Sequence, residues 1–558
     1  MNHLGHWKII YLEKFDFVEQ QQNKKYYLQP FFFALFLAVG VLLGTVLVPA
    51  GPGMYSGQGN RISEVMGLIE GYYVDTVNAD DLEEKAITDL LQGLDPHSVF
   101  IPAKDIEAVN EPLEGEFDGI GVEFNILDDT VYVVNIIEGG PSEKAGLQAG
   151  DRIITVDDSL FSGTKLTNER VVKTLKGRRG TSVNVGIKRY GKKELLPIEI
   201  VRGTIPVHSV DAHFMIDNQT GYIKLVRFSA TTSDEVRDAL HALKGSGMQN
   251  LVLDLRGNPG GYLNAAIQVA DEFLNGKKLI VYTEGRTQAR KTYKAGRRGN
   301  FEDGKLVVLL DEQSASASEI VSGAIQDWDR GIIVGRRSYG KGLVQEPFEL
   351  TDHSVIRLTI SRYYTPTGRS IQKSYQDGYE KYQMEVYDRW ENGELENQDS
   401  VKSIDSLKYT TPAGRIFYGG GGIYPDIFVG LDTSFSRSTV SAIYQKALHR
   451  RFVYQYLEQN REELKKYATA MQFARNFRFS AKDHKAFIEI LNEAGIQIPE
   501  PDMENTLNYL FTDMRALLAR QLFDINAFYM VSNQDDHFIK AAMKSLNEYD
   551  KLLAPEEH

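Results

Sequence analysis

The residues with the clearest chemical potential are a serine among small side chains and a lysine between two glycines. The serine run, Ser314-Ala315-Ser316-Ala317-Ser318, follows the apolar segment Leu306 to Leu310, and the lysine stands in Gly340-Lys341-Gly342. Small residues after a strand allow a tight turn that exposes a hydroxyl, and flanking glycines let a lysine approach it closely. A lysine that loses its proton in a dry pocket can serve as the base for a serine nucleophile. The two motifs predict serine-lysine hydrolysis.

The lysine can act as a base only when it is uncharged. In water its pKa is about 10.4, and desolvation can lower that value by up to about 3–5 units. The apolar segment Ile332-Ile333-Val334 precedes Lys341, and Leu343 and Val344 follow it. The neutral amide of Gln345 can hydrogen-bond the amine without stabilising its charged form. These surroundings favour a neutral amine.

A glycine pair and a serine turn have more than one interpretation. Gly260-Gly261 suits an oxyanion hole, where a backbone amide must come close to the substrate oxygen and is worth on the order of 3 kcal/mol in the barrier. The alternative interpretation of the serine run is a helix N-cap, since Ser318-Glu319 precedes the apolar Ile320-Val321. The glycine-flanked lysine favours the catalytic interpretation.

Four further segments accompany these motifs. They are Leu94-Asp95-Pro96-His97-Ser98, Asp254-Leu255-Arg256-Gly257-Asn258-Pro259-Gly260-Gly261, Tyr364-Thr365-Pro366-Thr367-Gly368-Arg369-Ser370-Ile371-Gln372 and Gly420-Gly421-Gly422-Ile423-Tyr424-Pro425-Asp426. Together with the serine and lysine motifs they resemble the C-terminal processing peptidases, also called tail-specific proteases, from about residue 61 to about residue 429. Several blocks in the right order are far more specific than any one of them.

The resemblance implies roles for individual residues. Ser316 becomes the nucleophile, Lys341 the general base and Gln345 the residue that orients the lysine. The backbone amides of Ala317 and of Gly260 or Gly261 become the oxyanion hole. The family also implies a Clp/crotonase-like α/β core, which suits the alternating strand and helix patterns up to residue 360.

A second module precedes this core, at about residues 113–202. Gly119-Ile120-Gly121-Val122-Glu123-Phe124 resembles the carboxylate-binding loop and edge strand of a PDZ domain, and residues 141–154 resemble the helix, turn and strand that follow. In such a module Gly119, Ile120, Gly121 and Val122 aim backbone amides at a terminal carboxylate, and the peptide adds a strand to the sheet edge. An ordinary β-hairpin with a glycine turn is the alternative.

Other constellations predict no second kind of chemistry. His208, His213, His241 and His353 are candidates for a Ser-His-Asp triad, but none stands in a recognisable elbow or triad context. Residues 419–422 lack the Lys-Ser/Thr that ends a phosphate loop. The histidines do not show ligand spacing and the sequence contains no cysteine, so we predict no metal site and no cofactor.

Charge and the N-terminus predict the surroundings in which the chain works. A net charge of −13 argues against general nucleic-acid binding, and the basic segment Arg286 to Arg298 is interpreted as a solvated hairpin. Residues 31–48 are apolar and uncharged, Lys24 and Lys25 precede them, and no Lys or Arg follows until Arg61. The positive-inside rule then predicts a single-pass anchor in a bacterial inner membrane, with the catalytic part in the periplasm. A cleaved signal peptide that releases a soluble periplasmic enzyme is the alternative.

The expected fold class is α/β: a Clp/crotonase-like peptidase core with an inserted PDZ domain, an N-terminal membrane helix and helical segment, and a C-terminal all-helical domain. The predicted organisation is a cytoplasmic N-terminus at 1–30, a transmembrane anchor at 31–48, an N-terminal helical segment at 61–111, a PDZ domain at 113–202, a serine peptidase core at 203–430 and a C-terminal helical domain at 434–558. The segment from 373 to 406 is polar and charged, and is predicted to be a surface excursion.

The leading functional hypothesis is a membrane-tethered serine endopeptidase that selects exported proteins by their C-terminal ends. Its expected partners are proteins or peptides with free C-termini and the membrane; a homodimer through the N-terminal helices and an adaptor protein are left open. A catalytically silent PDZ scaffold that binds C-terminal peptides is the first alternative. A hydrolase of esters or other acyl compounds is the second.

Overall fold

The computed structural model describes residues 29–47, 61–163, 165–296, 298–401 and 407–554. The predicted cytoplasmic N-terminus, residues 1–30, lies outside them apart from its last two residues. Helix α1, Gln29–Leu47, coincides with the predicted anchor except at residue 48, and its described side chains, at residues 31–40, are exposed. Within the described part of the chain, we find no helix with the length and apolar character needed to cross a membrane. The anchor stays a prediction.

The segment that was predicted to be helical from 61 to 111 contains a strand. Helices α2, Arg61–Tyr72, and α3, Ala79–Gln92, are followed by strand β1, Val99–Ile101, and helix α4, Ile106–Glu114. The helical pattern is broken where Asp95 Oδ1 accepts hydrogen bonds from the amides of His97 (2.8 Å) and Ser98 (2.9 Å). This turn directs the next residues into a sheet of the core, so strand β1 interrupts the predicted helical segment.

The PDZ-like module is a small antiparallel sheet closed by two helices. Its elements are β2 (Glu116–Gly119), β3 (Val122–Leu127), β4 (Thr130–Ile136), α5 (Pro141–Lys144), β5 (Arg152–Val156), β6 (Ser159–Leu160), α6 (Asn168–Leu175), β7 (Ser182–Lys188), β8 (Leu196–Val201) and β9 (Gly203–Pro206). The sheet order is β3-β4-β5-β7-β8, with β6 on β5, while β2 pairs with β9 at the junction with the core. Alternating apolar side chains of these strands and of α6 form the module's own core.

The next part of the chain builds the central core. Its elements are β10 (Val210–Met215), β11 (Thr220–Leu225), α7 (Thr232–Gly245), β12 (Asn250–Asp254), α8 (Leu263–Asp271), β13 (Leu279–Glu284), β14 (Lys291–Lys294), β15 (Lys305–Leu310), α9 (Ala317–Asp327), β16 (Ile332–Gly335), β17 (Leu343–Glu349), β18 (Val355–Tyr364), α10 (Tyr379–Glu391), β19 (Lys408–Thr410), β20 (Ile416–Tyr418) and β21 (Ile427–Phe428). Strands β13 and β14 pair as a hairpin; β13 is mostly buried, whereas most described side chains of the predicted basic segment 286–298 are exposed.

The central sheet brings three loops to one edge. Its order is β10-β11-β12-β15-β16-β21, and all neighbours except β10 and β11 are parallel. Strands β12, β15 and β16 are buried along almost their whole length, as in sheets that are covered on both faces. Their carboxyl ends lead into three segments that carry the motifs: the glycine loop (residues 255–262), the serine turn (311–316) and the lysine loop (336–342). Parallel strands therefore place the three motifs side by side.

A second sheet has the order β1-β18-β13-β14, with β17 also paired to β18. The nearby segment from 373 to 406, predicted as a surface excursion, is mostly exposed where it is described, but it includes helix α10 and a few buried charges. Arg389 is 2% exposed and Glu394 is 5% exposed. Glu394 pairs with both Arg389 (2.9 Å) and Arg337 (2.6 Å). These few charges can be buried because they are paired with each other.

The C-terminal region is helical, as its periodicity predicted. Its helices are α11 (Arg437–Gln445), α12 (Leu448–Leu464), α13 (Ala470–Asn476), α14 (Ala481–Glu493), α15 (Met503–Leu522), α16 (Ile525–Ser532), α17 (His537–Asn547) and α18 (Tyr549–Leu553). Helices α11 to α16 share an apolar core of their own. Helices α17 and α18 cover the face of the central sheet opposite α7, α8 and α9.

Candidate active site

Ser316 occupies a strained turn between strand β15 and helix α9. Its φ of 54° and ψ of −110° are uncommon for a residue with a Cβ and cost on the order of 1–3 kcal/mol. Ser314 Oγ donates to the Leu255 carbonyl (2.9 Å) and Ser318 Oγ donates to the Asn258 carbonyl (3.0 Å), so hydroxyls on both sides hold the turn in place. Such strand-to-helix turns are used to expose a nucleophilic serine.

The glycine loop lies directly against this turn. A Cβ added to Gly260 would lie 2.8 Å from the Cβ of Ser316, which only glycine avoids. The Gly260 amide donates to Asn258 Oδ1 (2.9 Å) and is therefore already engaged. The Gly261 amide has no hydrogen bond within the described chain. The Ala317 amide lies in the first turn of α9, where amides lack partners inside the helix.

Lys341 lies in a largely buried loop after strand β16. Burial lowers the pKa of Lys341, although the carboxylates of Asp95 and Glu319 act in the opposite direction. Its Nζ donates to Gln345 Oε1 (3.3 Å), and Gln345 Nε2 donates to the His97 carbonyl. The predicted lysine and glutamine are therefore brought together, and Gln345 is oriented by the segment before strand β1.

Two residues that sequence reasoning missed connect the serine turn with the lysine loop. Glu319 is fully buried; its Oε2 accepts from the amides of Ser316 (2.8 Å) and Lys341 (2.9 Å), and its Oε1 accepts from Ser338 Oγ (2.5 Å) and the amide of Gly340 (2.7 Å). Burial raises the pKa of Glu319 to about 7. Its sequence signal was the Ser-x-x-Glu spacing, which is also that of an ordinary capping box.

Tyr363, on strand β18, provides the second connection. Its hydroxyl lies 3.0 Å from the Ser316 carbonyl and 2.5 Å from the Lys341 carbonyl. The side chains of Ser316 and Lys341 are not hydrogen-bonded to each other among the described residues. Their backbones, however, are bridged twice, by a carboxylate and by a hydroxyl.

His97, within the Leu94–Ser98 block, is a further site residue for which the sequence predicted no role. Its Nε2 lies 2.7 Å from the Tyr382 hydroxyl, and burial together with Lys341 lowers its pKa to about 3, so the ring is neutral. Asp95 holds the preceding turn, because its carboxylate also accepts from the hydroxyls of Ser98 (2.6 Å) and Thr359 (3.1 Å). The Leu94–Ser98 block thus supports the lysine side of the site.

The four histidines that were candidates for a Ser-His-Asp triad do not lie at this site. His353 and His208 are exposed and lie beside Glu349 and Glu235, while His213 and His241 are exposed on β10 and α7. Among the residues described, no group of three or more His, Asp or Glu side chains could hold a metal ion.

The predicted peptide-binding residues lie at one edge of the PDZ-like sheet. Gly119 ends strand β2, Ile120 is buried in the module's core, Gly121 has a φ of 75°, and Val122 begins strand β3. Strand β3 pairs with β4 on one side, and no described strand pairs with its other side. A peptide could therefore extend this sheet.

Comparison with family models gives three matches along the chain. Residues 219–379 match peptidase family S41, residues 119–200 match the PDZ domain, and residues 439–524 match a family of unknown function. The carboxy-terminal-processing protease of Bartonella bacilliformis is 38% identical over 317 residues, which cover 56% of this chain and 72% of that protein. The carboxy-terminal processing protease CtpA of Bacillus subtilis is 32% identical over 315 residues, covering 56% of this chain and 66% of that protein.

Among solved structures, a photosystem II D1 C-terminal processing protease matches with 28% identity and a TM-score of 0.33. The match covers 56% of this chain and 89% of that chain. The fold and the family-model matches describe a mixed α/β protein with a PDZ domain, a peptidase domain and a C-terminal helical region.

Proposed function

The chain belongs to peptidase family S41 as a serine-type peptidase related to the carboxy-terminal-processing proteases, and from this premise we propose that Ser316 and Lys341 carry out its chemistry. Ser316 Oγ attacks the peptide carbonyl and gives its proton to the neutral amine of Lys341. The lysine then protonates the leaving amine, and an acyl-enzyme remains on Ser316. Water, deprotonated by the lysine, hydrolyses this ester and regenerates the serine.

The observation that carries this proposal is the double bridge between the two loops. Glu319 and Tyr363 each bind the backbones of both Ser316 and Lys341. A buried lysine with a lowered pKa, held by a neutral amide, is the form of base that a serine nucleophile needs. Gln345 is proposed to orient it.

For the oxyanion hole we propose the amides of Ala317 and Gly261. Of the two adjacent glycines, Gly261 is favoured because the Gly260 amide already donates to Asn258. The amide of Ala317 adjoins the nucleophile and opens a helix, whose N-terminal end favours negative charge.

The PDZ domain is proposed to bind the free C-terminus of a protein substrate. The terminal carboxylate of the substrate would accept hydrogen bonds from the backbone amides of residues 119–122. The last residues of the substrate would pair with the side of strand β3 that no described strand occupies. We further propose that the substrates are exported proteins and that the enzyme works at the periplasmic side of a membrane. This placement is supported only by the apolar residues 31–48 and the lysines before them; recovery of the full chain in the soluble rather than the membrane fraction would contradict it.

The test compares cleavage of an unfolded protein by the full chain and by the variants Ser316→Ala and Lys341→Ala. Both variants are expected to lose cleavage, whereas Lys381→Ala, which removes an exposed lysine paired with Asp377, retains it. A substrate with an amidated C-terminus should be cleaved more slowly than one with a free carboxylate. Binding of C-terminal peptides without cleavage by any form would favour the silent scaffold. Turnover of activated esters alone would favour the acyl-compound hydrolase.

A further inference from the structure

The C-terminal helical region contacts the PDZ domain through two of its helices. From α12, Tyr454 accepts a hydrogen bond from Asn125 Nδ2 (3.2 Å), and Glu458 forms an ion pair with Arg152. From α15, Arg520 forms an ion pair with Glu123, and Gln521 Nε2 donates to the Val134 carbonyl (2.8 Å). Both helices belong to the segment that matches the family of unknown function.

An apolar cluster lies at the centre of these polar contacts. Leu127, Val134 and Tyr454 are each 8% exposed and form one cluster, against which Tyr132 packs. The rings of Tyr132 and Tyr454 lie 5.4 Å apart. Burial of these apolar side chains beside two ion pairs stabilises the contact between the helices and the PDZ domain.

The contacted face is opposite the face of β3 that belongs to the PDZ core. Side chains alternate along a strand, so Val122, Phe124 and Ile126 pack towards the core of the domain, whereas Glu123 and Asn125 face the helices. The helical region therefore contacts the β3–β4 hairpin on the face that does not form the PDZ core, and no described strand pairs with the other side of β3.

The same helical region is joined to the peptidase core. On α16, Asn526 Oδ1 accepts from the His213 amide (2.8 Å). Asp536, the N-cap of α17, accepts from Arg256 of the glycine loop (2.8 Å). Helix α17 also packs its apolar face on the central sheet. The helices thus contact the PDZ domain at one end and the peptidase core at the other.

We propose that the C-terminal helical region, residues 437–553, is an internal brace that keeps the PDZ domain docked in one orientation on the peptidase core throughout the catalytic cycle. This gives the segment of unknown function a role: it fixes where a bound C-terminus enters relative to Ser316. The PDZ domain then acts as a fixed receiver and not as a swinging gate. The proposal rests on the proposed function only where substrate cleavage is used as its readout.

The absence of cysteine from the sequence makes a direct test possible. In the full chain, Glu123→Cys and Arg520→Cys together introduce two thiols at the brace contact. A short bis-maleimide with a reducible spacer joins them, and each single cysteine variant serves as the control. The uncrosslinked double variant must first cleave substrate, so a failure of the proposed function appears before crosslinking.

The brace predicts that the crosslink forms and that the rate of substrate cleavage stays within about threefold of the uncrosslinked rate. A larger loss that reductant reverses would show that the PDZ domain must leave the helices during turnover, which overturns the proposal. Failure of the two thiols to crosslink would overturn the docking itself.

Hydrogen exchange provides a readout that needs no activity. Arg520→Glu places like charges at the contact, and amide exchange in residues 122–136 should become about tenfold faster. The double variant Glu123→Arg/Arg520→Glu restores opposite charges and should restore protection. Lys465→Glu, which breaks an exposed pair with Glu462 elsewhere on the helical region, should leave this exchange unchanged. Unchanged exchange in Arg520→Glu would contradict the brace.

Discussion

The substitution Glu319→Gln separates the positioning of the catalytic loops from the catalytic groups themselves. The carboxylate receives four hydrogen bonds, two on each oxygen, from three backbone amides and one hydroxyl. A glutamine has one acceptor oxygen and one donor group, so it cannot accept from all three amides. In the least costly orientation, the NH2 group of the glutamine side chain donates to the Ser338 hydroxyl, and the backbone amide of Gly340 is left unpaired.

The expected loss of cleavage rate follows from the number of backbone amides left unpaired. One buried unpaired amide costs about 1–3 kcal/mol, which lowers the rate by about 5- to 150-fold if the whole cost falls on the catalytic arrangement. The opposite orientation would leave the amides of Ser316 and Lys341 unpaired and would roughly double that cost. The loss should appear in kcat and not in KM, because Glu319 does not contact the PDZ domain.

The assay is steady-state and single-turnover cleavage of a peptide substrate above pH 7, where Glu319 is ionised, with thermal unfolding measured alongside. The matched control is Glu312→Gln, which removes a largely buried carboxylate from the turn just before helix α9. Glu312 binds Arg336 (2.7 Å) and not the catalytic backbones. Glu319→Gln should lose far more activity than Glu312→Gln at equal stability. Wild-type turnover in a folded Glu319→Gln protein would refute the reasoning.

Three further predictions concern pH, the tyrosine bridge and the PDZ loop. Because burial raises the pKa of Glu319 to about 7 from an ordinary 4.5, the native state holds a proton that the unfolded state has lost between these values. The free energy of unfolding should therefore fall by about 3 kcal/mol for this group as pH rises through that window, and denaturant titrations of Glu319→Gln should lack this contribution; an identical slope would refute it. Tyr363→Phe leaves two carbonyls without their shared donor and should reduce kcat by about tenfold with little change in KM, whereas Tyr379→Phe, an exposed control, should change neither. Gly121→Ala forces a Cβ onto a φ of 75° and to within 2.9 Å of Ile205, so calorimetric binding of C-terminal peptides should weaken by about tenfold or more, and unchanged affinity would remove this loop from the proposed carboxylate site.

Much of the architecture was predictable because its signals are local. Alternating apolar strands and helices up to residue 360 indicated an α/β core, and in the structure the strands before the motifs are parallel, so the motifs meet at one edge of the sheet. The helical periodicity after residue 434 was equally clear. The region around Ser316 and Lys341 could therefore be located from the order of residues alone.

The failures came from interactions between distant parts of the chain. Strand β1 has only three residues and depends on pairing with Val355–Arg357. Glu319 resembled a surface cap, since its three distant donors are brought near it only by the fold. Arg389 and Glu394 are buried because they pair with each other, and the sequence around them does not indicate this pairing. Sequence spacing does not carry this long-range information.

The central claim is that Ser316 is activated by an uncharged Lys341. Its most direct test is covalent labelling of the full chain with a fluorophosphonate, with mass spectrometry used to identify the modified residue and to follow the labelling rate against pH. The account predicts labelling of Ser316 at a rate that rises with pH as the lysine loses its proton, and loss of labelling in Lys341→Ala. Labelling of another residue, or equally fast labelling of Ser316 in Lys341→Ala at every pH, would contradict it.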